Sequence, residues 1–285
     1  MLPIVALFLL GPISTLGLEA LQSHEGGPNV SLLVSATPAI GLGLGLALLV
    51  ASGVYGLVCA RLVDPRTGTL SAGFLVSWAA WRTGNMELLL RFEPGSGTLV
   101  RLCLEAIVVC TVVGAVALLI AGAARADHQP THGDLPGPHL ASIGRIVRLP
   151  VAAAIVAGAV SALVVAHVVA FNALRGQALM AGVLGSIAAG AVTRLVIRAW
   201  VNEEAPSAAP YAAIVVAASI APLIGLVLPG SSGLETAAVQ GTLIGPLKVQ
   251  PLDWAAGMLI GTPIGLAWAG AAVHKARDAE SAPAR

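Results

Sequence analysis

Residues 150–171, which read PVAAAIVAGAVSALVVAHVVAF, contain no Asp, Glu, Lys or Arg. A helix rises about 1.5 Å per residue, so a run of this length reaches across the hydrocarbon core of a bilayer, which is roughly 30 Å thick. The whole chain has the same character, because 57% of its 285 residues are hydrophobic, 10% are charged and the mean hydropathy is +0.90. A soluble domain carries about 25% charged residues. The composition therefore predicts an all-α, polytopic integral membrane protein, and it argues against a soluble enzyme.

Similar runs along the chain predict eight transmembrane helices, at residues 2–18, 30–60, 67–81, 102–124, 150–171, 176–193, 210–229 and 252–273. Two of these spans have alternatives. The first is interrupted by Pro3 and Pro12 and could instead be a signal peptide, although no basic segment precedes its apolar run. The third reaches only about 22 Å as a helix. It crosses the bilayer if Arg66 and Arg82 extend to the head groups, and it is otherwise re-entrant or interfacial.

The basic residues predict the orientation. With all eight spans in place, ten of the 15 lysine and arginine residues lie on one side of the membrane. Cytoplasmic loops are enriched in these residues, so we expect a multi-pass protein of the cell membrane with both termini in the cytoplasm. Residues 82–101 then form a short amphipathic helix on the outer surface, residues 125–149 a polar loop, and residues 279–285 a disordered tail. The formal net charge of +1 gives no reason to expect a nucleic-acid partner.

Two matching segments indicate an internal repeat within this single transmembrane domain. Residues 70–80 read LSAGFLVSWAA and residues 179–189 read LMAGVLGSIAA, so seven of eleven positions agree at an offset of 109. Repeat units of residues 30–124 and 150–230 would each hold three spans, an odd number. They would therefore insert in opposite orientations, as the inverted repeats of many secondary transporters do. The alternative is that helices rich in Ala and Gly share small-residue packing surfaces without common descent.

Small residues recur every four positions in two spans. One stripe is Gly182, Ser186 and Gly190, and the other is Gly257, Gly261, Gly265 and Ala269. Residues four apart share a helix face, and small side chains there let another backbone approach closely. The stripes predict helix–helix packing, either inside the chain, between two copies of it, or against a partner membrane subunit.

Prolines interrupt three of the predicted spans. Each proline removes a helix hydrogen bond and frees a carbonyl group at depth. A freed carbonyl beside a threonine hydroxyl could coordinate a cation or a substrate, and the alternative is a kink that a neighbouring helix satisfies. The candidate broken-helix site consists of Thr37, Pro38, Pro222, Thr262 and Pro263.

Two ionisable residues, Glu105 and His167, lie inside predicted spans. On the predicted topology both lie at the same shallow depth near the outer face. Buried acid and imidazole groups are costly alone and mark proton or ligand sites when they are paired. We therefore predict a hydrogen-bonded pair of Glu105 and His167. The alternative is that both are interfacial and that Glu105 pairs with Arg101 one turn earlier.

These features favour a small permease or channel-like transporter of a small solute or ion. The alternative is a non-catalytic structural or assembly subunit of a membrane complex. The sequence has no convincing catalytic residue set, and we expect no cofactor. The histidines of residues 125–149 lack the spacing of a metal site, so no metal is expected either. We interpret three cysteines in apolar stretches as small packing residues: Cys59, Cys103 and Cys110.

Overall fold

The computed structural model describes residues 1–19, 31–35, 37–123, 149–201, 206–228 and 230–281, and the regular elements in these ranges are helices. The α-helices are α1 (Leu2–Val5), α2 (Gly11–Glu19), α3 (Pro38–Leu62), α4 (Pro65–Arg82), α5 (Met86–Phe92), α6 (Ser96–Ala123), α7 (Leu149–Val169), α8 (Arg175–Val201), α9 (Ala209–Leu223), α10 (Gly230–Gln240) and α11 (Pro251–Ser281). A π-helical turn, Ala6–Leu10, joins α1 to α2. Two 3-10 turns, Ile224–Val227 and Gly245–Lys248, follow α9 and precede α11.

Six helices of the described chain are long and apolar enough to cross a membrane: α3, α6, α7, α8, α9 with its 3-10 turn, and α11. Large apolar side chains cover their outer faces. On α7, for example, Val156, Val160 and Val164 recur every four residues and are 57%, 53% and 57% exposed. Extended apolar surface of this kind marks contact with lipid. The fold therefore belongs to the all-α, multi-pass membrane class that the composition predicts.

The first predicted span is helical from Leu2 to Glu19, through α1, the π-helical turn and α2. It is not among the six helices of the described chain that are long and apolar enough to cross a membrane. Pro12 lacks an N–H group and its ring crowds the preceding turn, and the helix widens into a π-helical turn just before it. The segment packs against α3 and α4, where the Trp78 indole N–H donates to the Leu7 carbonyl (2.6 Å) and the Tyr55 hydroxyl donates to the Leu2 carbonyl (3.0 Å).

The third predicted span forms α4, an 18-residue helix with Asp64 at its N-terminal cap. Thr67 donates to the Asp64 carboxylate from its amide (2.9 Å) and from its hydroxyl (2.6 Å). Partial burial acts to raise the pKa of Asp64, but these hydrogen bonds and the nearby Arg66 outweigh it and hold the pKa below its ordinary value. Such a cap typically stabilises a helix by about 1 kcal/mol.

Although α4 is not among the six apolar helices, it packs against its neighbour α3. In its first turn, the Gly68 carbonyl lies 2.9 Å from where Gly56 of α3 would carry a Cβ. Its last turn lies at the opposite end of the bundle, where the Ala80 carbonyl accepts a hydrogen bond from Arg175. Three of its four hydroxyls donate to its own backbone, as Ser71 does to the Thr67 carbonyl (2.7 Å), so the low hydropathy of α4 is compatible with burial.

The second predicted span begins later than expected. Pro38 occupies the first turn of α3, where its missing N–H removes no hydrogen bond, and Thr37 is exposed at the N-cap position without a capping bond from its side chain. Thr37 and Pro38 therefore stand where the helix of this span begins, and not inside a helix. Residues 31–35, which precede them, are non-helical and largely buried.

The central helix is α11, which packs against α4, α6, α8 and α9. Its residues 251–259 are all buried. The helix continues through Pro263, so the predicted break there is a proline inside an unbroken helix. It also continues to Ser281, which makes residues 279–281 of the predicted tail helical. Residues 282–285 and the predicted polar loop up to residue 148 lie outside the described part of the chain.

The two small-residue stripes face each other across α8 and α11. A Cβ at Gly257 would overlap the Gly182 carbonyl, and a Cβ at Gly261 would overlap the Val183 carbonyl. The remaining stripe residues are also buried: Ser186, Gly190, Gly265 and Ala269. The two backbones are therefore in direct contact, and both stripes are used inside one chain.

The orientation can be checked by labelling single cysteines with an impermeant thiol reagent in a cysteine-free background. Ser96→Cys should react from outside the cell, whereas Thr131→Cys and Ser281→Cys should react only after the membrane is permeabilised. The expectation follows from the distribution of basic residues. Labelling of positions 96 and 131 from the same side would contradict the predicted course of α6.

The packing of α8 on α11 predicts that Gly261→Leu destabilises the protein. The new side chain would meet backbone rather than a movable side chain, and overpacking costs typically about 1–3 kcal/mol. Thermal unfolding in detergent should show a lower midpoint. Gly43→Leu is the matched control, because a Cβ at Gly43 meets no atom within 4 Å. Equal stability of the two variants would show that the close contact is absent.

Candidate functional site

Glu105 lies in the third turn of α6, and only 1% of it is exposed. The Leu33 amide donates a hydrogen bond to its Oε2 atom (2.8 Å). The Leu32 amide and the Ser31 hydroxyl lie beside the same carboxyl group. Its Oε1 atom has no hydrogen-bond partner in the described part of the chain. The site is thus a buried acid that faces a non-helical stretch of backbone.

Two glycines of α3 let this stretch of backbone pack inside the bundle. A Cβ at Gly41 would overlap the Leu32 carbonyl, and a Cβ at Gly45 would overlap the Leu32 side chain. The stretch is closed by local hydrogen bonds, because the Val34 amide donates to the Ser31 hydroxyl (3.0 Å). The glycine spacing at the start of α3 therefore positions the donors that meet Glu105.

The energetics of this carboxyl group depend on its charge. The effective penalty for burying an ion is several kcal/mol even after the protein relaxes. A hydrogen bond to a charged group returns only about 1.5–3 kcal/mol. No Lys, Arg or His forms an ion pair with Glu105 among the residues that the structure describes. The hydrogen bond therefore does not offset the cost of burying the charge, and we expect a bound proton or a bound cation to neutralise the carboxyl group.

The predicted pair of Glu105 and His167 does not form. His167 is exposed on α7, and α9 packs against both α6 and α7 and lies between them. The alternative partner, Arg101, is 3.8 Å from Glu93 instead, in a pair whose side chains are 59% and 55% exposed. Glu105 is buried rather than interfacial, and its hydrogen-bond partner is backbone rather than a side chain.

The candidate broken-helix residues lie on three different helices. Pro38 begins α3 at an exposed position, and Pro222 lies near the end of α9, where the helix tightens into its 3-10 turn. Thr262 is fully buried on α11, and its carbonyl lies 3.0 Å from where Gly190 of α8 would carry a Cβ. No hydrogen bond links these positions within the described ranges.

A buried ion pair joins α8 to α11 at the end of the bundle nearest Glu105. Arg175 binds Asp253 with two hydrogen bonds, Nη1 to Oδ2 (3.0 Å) and Nη2 to Oδ1 (2.7 Å). The Asp253 side chain is 0% exposed and that of Arg175 is 16% exposed. Arg175 also donates to the Ala80 carbonyl and to the Thr83 hydroxyl (3.1 Å). One guanidinium group therefore ties together α4, α8 and α11.

A cap formed by α5, α10 and the turn Gly245–Lys248 covers the same end. Its apolar residues form a separate cluster with Leu102 of α6, which precedes Glu105 by three residues, and with Val34, which follows Leu33. Lys248 links the cap to the end of α7, because its buried Nζ donates to the Phe171 carbonyl (2.7 Å) and lies 3.9 Å from Glu87 of α5. The segment predicted as an amphipathic surface helix is therefore helical as α5, but it packs against α10.

A surface pocket of about 620 Å³ opens beside Arg175. The lining residues are Trp81, Val169, Leu174, Arg175, Gly176, Gln177 and Met180. None of them belongs to α6 or to residues 31–35, so this pocket does not adjoin Glu105.

Sequence reasoning missed Arg175, Asp253, Lys248 and Gln250 as buried polar residues. Gln250 is 1% exposed and donates to the Gly84 carbonyl (2.9 Å). A usable signal was present, because Asp253 begins one apolar run and Arg175 immediately precedes another at the same predicted membrane level. Opposite charges at one level of two spans are expected to pair, since an unpaired charge there is costly.

Comparisons of this chain with protein-family models, with curated protein sequences and with solved structures found no match.

The ion pair predicts a specific pattern of stability. Asp253→Asn should lower the unfolding midpoint strongly, because removing one partner of a buried pair costs about 3–5 kcal/mol. The double variant Arg175→Gln with Asp253→Asn should recover part of the loss, because no buried charge is left alone. Glu93→Gln, in the exposed pair with Arg101, is the control and should change little. Additive losses in the double variant would show that Arg175 and Asp253 are not coupled.

Proposed function

We propose that this protein is a small multi-pass permease in which the binding of an ion at Glu105 is linked to the passage of a small solute or of the ion itself. The observation that carries the proposal is a fully buried carboxyl group with one free oxygen, facing non-helical backbone. Ionisable residues inside membrane spans are rare and usually functional. Non-helical backbone at membrane depth is tolerated where protein buries it or where it lines a cavity.

We further propose eight crossings with both termini in the cytoplasm of a cell-membrane protein. In this arrangement α4 and the segment Leu2–Glu19 are the two short crossings. Support comes from two contacts in the first half of that segment, since the Leu2 carbonyl accepts a hydrogen bond from Tyr55 of α3 and the Leu7 carbonyl accepts one from Trp78 near the end of α4. Short spans can be accommodated by local thinning of the bilayer at a modest cost.

An inverted repeat around α11 also belongs to the proposal. The equivalent glycines of the two matching segments, Gly73 and Gly182, both pack on α11: a Cβ at Gly73 would lie 3.2 Å from Leu259 Cβ, and one at Gly182 would overlap the Asp253 carbonyl. Helices α3, α4 and α6 contact one another as α7, α8 and α9 do. These parallels support two units that move relative to each other about a shared helix, the mode of many secondary transporters.

The second candidate is a structural or assembly subunit that binds a partner membrane protein or a second copy of the chain. The observation that favours it is the tight centre of the bundle, where α8 and α11 touch through their backbones and residues 251–259 are all buried. Such packing stabilises a scaffold without any moving part.

Electrical recordings on proteoliposomes adsorbed to a solid support can separate the two candidates. Rapid changes of pH, of Na⁺ and of a panel of small solutes should evoke charge displacement in the wild-type protein. Glu105→Gln should abolish it, because Gln keeps the size and hydrogen-bonding capacity but cannot ionise. His167→Gln is the matched control and should retain the signal, since His167 is exposed and does not contact Glu105.

Wild-type protein that gives no charge displacement for any of these changes, or a Glu105→Gln variant that behaves as the wild type does, would contradict the permease proposal. In that case, recovery of the protein at fixed stoichiometry with another membrane protein in mild detergent would favour the subunit.

A further inference from the structure

We infer that the ion bound at Glu105 is a proton, held on the Oε1 atom in the closed arrangement that the structure describes. The role of this proton in transport rests on the proposed function, but the protonated state itself does not. The inference follows from the atoms around the carboxyl group, from their hydrogen-bonding roles and from the charges nearby.

The atoms around Glu105 suit a proton better than a metal cation. The Oε2 atom already accepts the Leu33 N–H, and a positively polarised donor at this position repels a cation. The Ser31 hydroxyl accepts the Val34 amide, and the Leu32 carbonyl accepts the Ser35 hydroxyl (3.3 Å). Among these atoms, Oε1 has no hydrogen-bond partner within the residues that the structure describes.

A hard cation requires many more oxygen ligands than this. Mg²⁺ takes six ligands at close to octahedral geometry and Ca²⁺ takes about six to eight. Within the described chain, no group of three or more His, Cys, Asp and Glu residues is placed to hold a metal ion. A proton needs only one oxygen atom, and Oε1 of Glu105 has no hydrogen-bond partner in the described ranges.

The charges nearby do not neutralise Glu105 in another way. On α6 itself, Arg101 is exposed and lies beside Glu93, and the Cys110 thiol is directed to the Pro251 carbonyl (3.9 Å). The charged groups of α4, Arg66 and Arg82, lie at its two ends.

The charged groups of the other elements that pack near Glu105 have partners of their own. In the cap, Lys248 donates to the Phe171 carbonyl and lies beside Glu87, and Arg91 donates to the Ala238 carbonyl. On α11, the nearest acid is Asp253, which Arg175 already binds. The described residues 31–35 and helix α9 contain no charged side chain, and the titratable group of α9 is the buried Tyr211. On α3, Tyr55 donates its hydroxyl to the Leu2 carbonyl. The carboxyl group is therefore neutral only when it carries its own proton.

This assignment gives the cap and residues 31–35 a clear relation to the site. Together they exclude water from a neutral acid. Loss of the proton would leave a carboxylate ion in a site without water. Displacement of residues 31–35 would let water reach this ion and would lower its free energy. Proton release and opening of the cap end are therefore coupled in this proposal.

Infrared spectroscopy of the full-length protein in lipid bilayers tests the inference directly. A protonated carboxylic acid has a C=O stretching band that is separate from the bands of a carboxylate. We expect this band at neutral pH in the wild type, with an isotope shift when the protein carries ¹³C-labelled glutamate and not when it carries ¹³C-labelled aspartate. Glu105→Gln should remove the band, and Glu93→Gln, an exposed control, should leave it unchanged.

Additions of Na⁺, Mg²⁺ or Ca²⁺ at constant pH test whether a metal cation binds at Glu105 instead of a proton. An unchanged band supports the proton, whereas conversion to a carboxylate band would show that a cation occupies the site and would overturn the inference. Absence of a glutamate band at neutral pH would overturn it as well. If Glu105→Gln fails to fold, the isotope-labelled wild type still decides the question.

The proton assignment and the permease proposal can fail separately. A protonated Glu105 without any charge displacement in proteoliposomes would reject the permease and keep the proton site. Charge displacement that requires Glu105 but occurs without the band of a protonated carboxylic acid would keep the permease proposal and reject the proton assignment.

Discussion

The direct contact between the backbones of α8 and α11 is the constraint on which the rest of the fold depends. Lipid chains are as apolar as leucine, so helices in a bilayer associate through close packing rather than through the hydrophobic effect. Glycines at Gly182 and Gly257 bring the two helices together with no side chain between them. This approach fixes the relative height of the helices, and it thereby places Arg175 at the start of α8 opposite Asp253 near the start of α11.

From this contact the organisation extends to the candidate site. Arg175 reaches the end of α4 as well as Asp253, so three helices are held at one level. The turn that precedes α11 carries Lys248, which joins the cap to the end of α7 through the Phe171 carbonyl. Beneath this cap the backbone of Leu33 meets Glu105. The buried charges of Arg175 and Asp253 at this end are thus paired, whereas Glu105 forms no ion pair within the described part of the chain.

The features that the sequence predicts well depend on residues within a single helix. Uncharged runs of about 20 residues locate most spans, because the thickness of the bilayer sets their length. Spacing by four residues predicts close packing at Gly261, because residues on one helix face are neighbours. The burial of Glu105 follows from its position inside an apolar run. In each of these cases the information lies within one helix.

The features that the sequence does not predict depend on which helices are neighbours. His167 is not the partner of Glu105 because α9 lies between their helices, and no local pattern encodes that order. Residues 31–35 look like part of a span because they are apolar, but they run outside the helix because α3 begins at Pro38. Their place in the site depends on Gly41 of α3, where the absence of a side chain leaves room for the Leu32 carbonyl. This contact joins two separate segments, so the pattern within either segment does not predict it.

Solid-state NMR can measure the contact between Glu105 and the Leu33 amide in bilayers. Protein with ¹⁵N-labelled leucine and glutamate labelled with ¹³C at the carboxyl carbon should show a dipolar coupling that corresponds to a hydrogen bond, with 2.8 Å between the nitrogen and Oε2. The coupling should disappear in Glu105→Gln prepared with the same labels. Wild-type protein without this coupling would contradict the account, because Glu105 would then face something other than the backbone of residues 31–35.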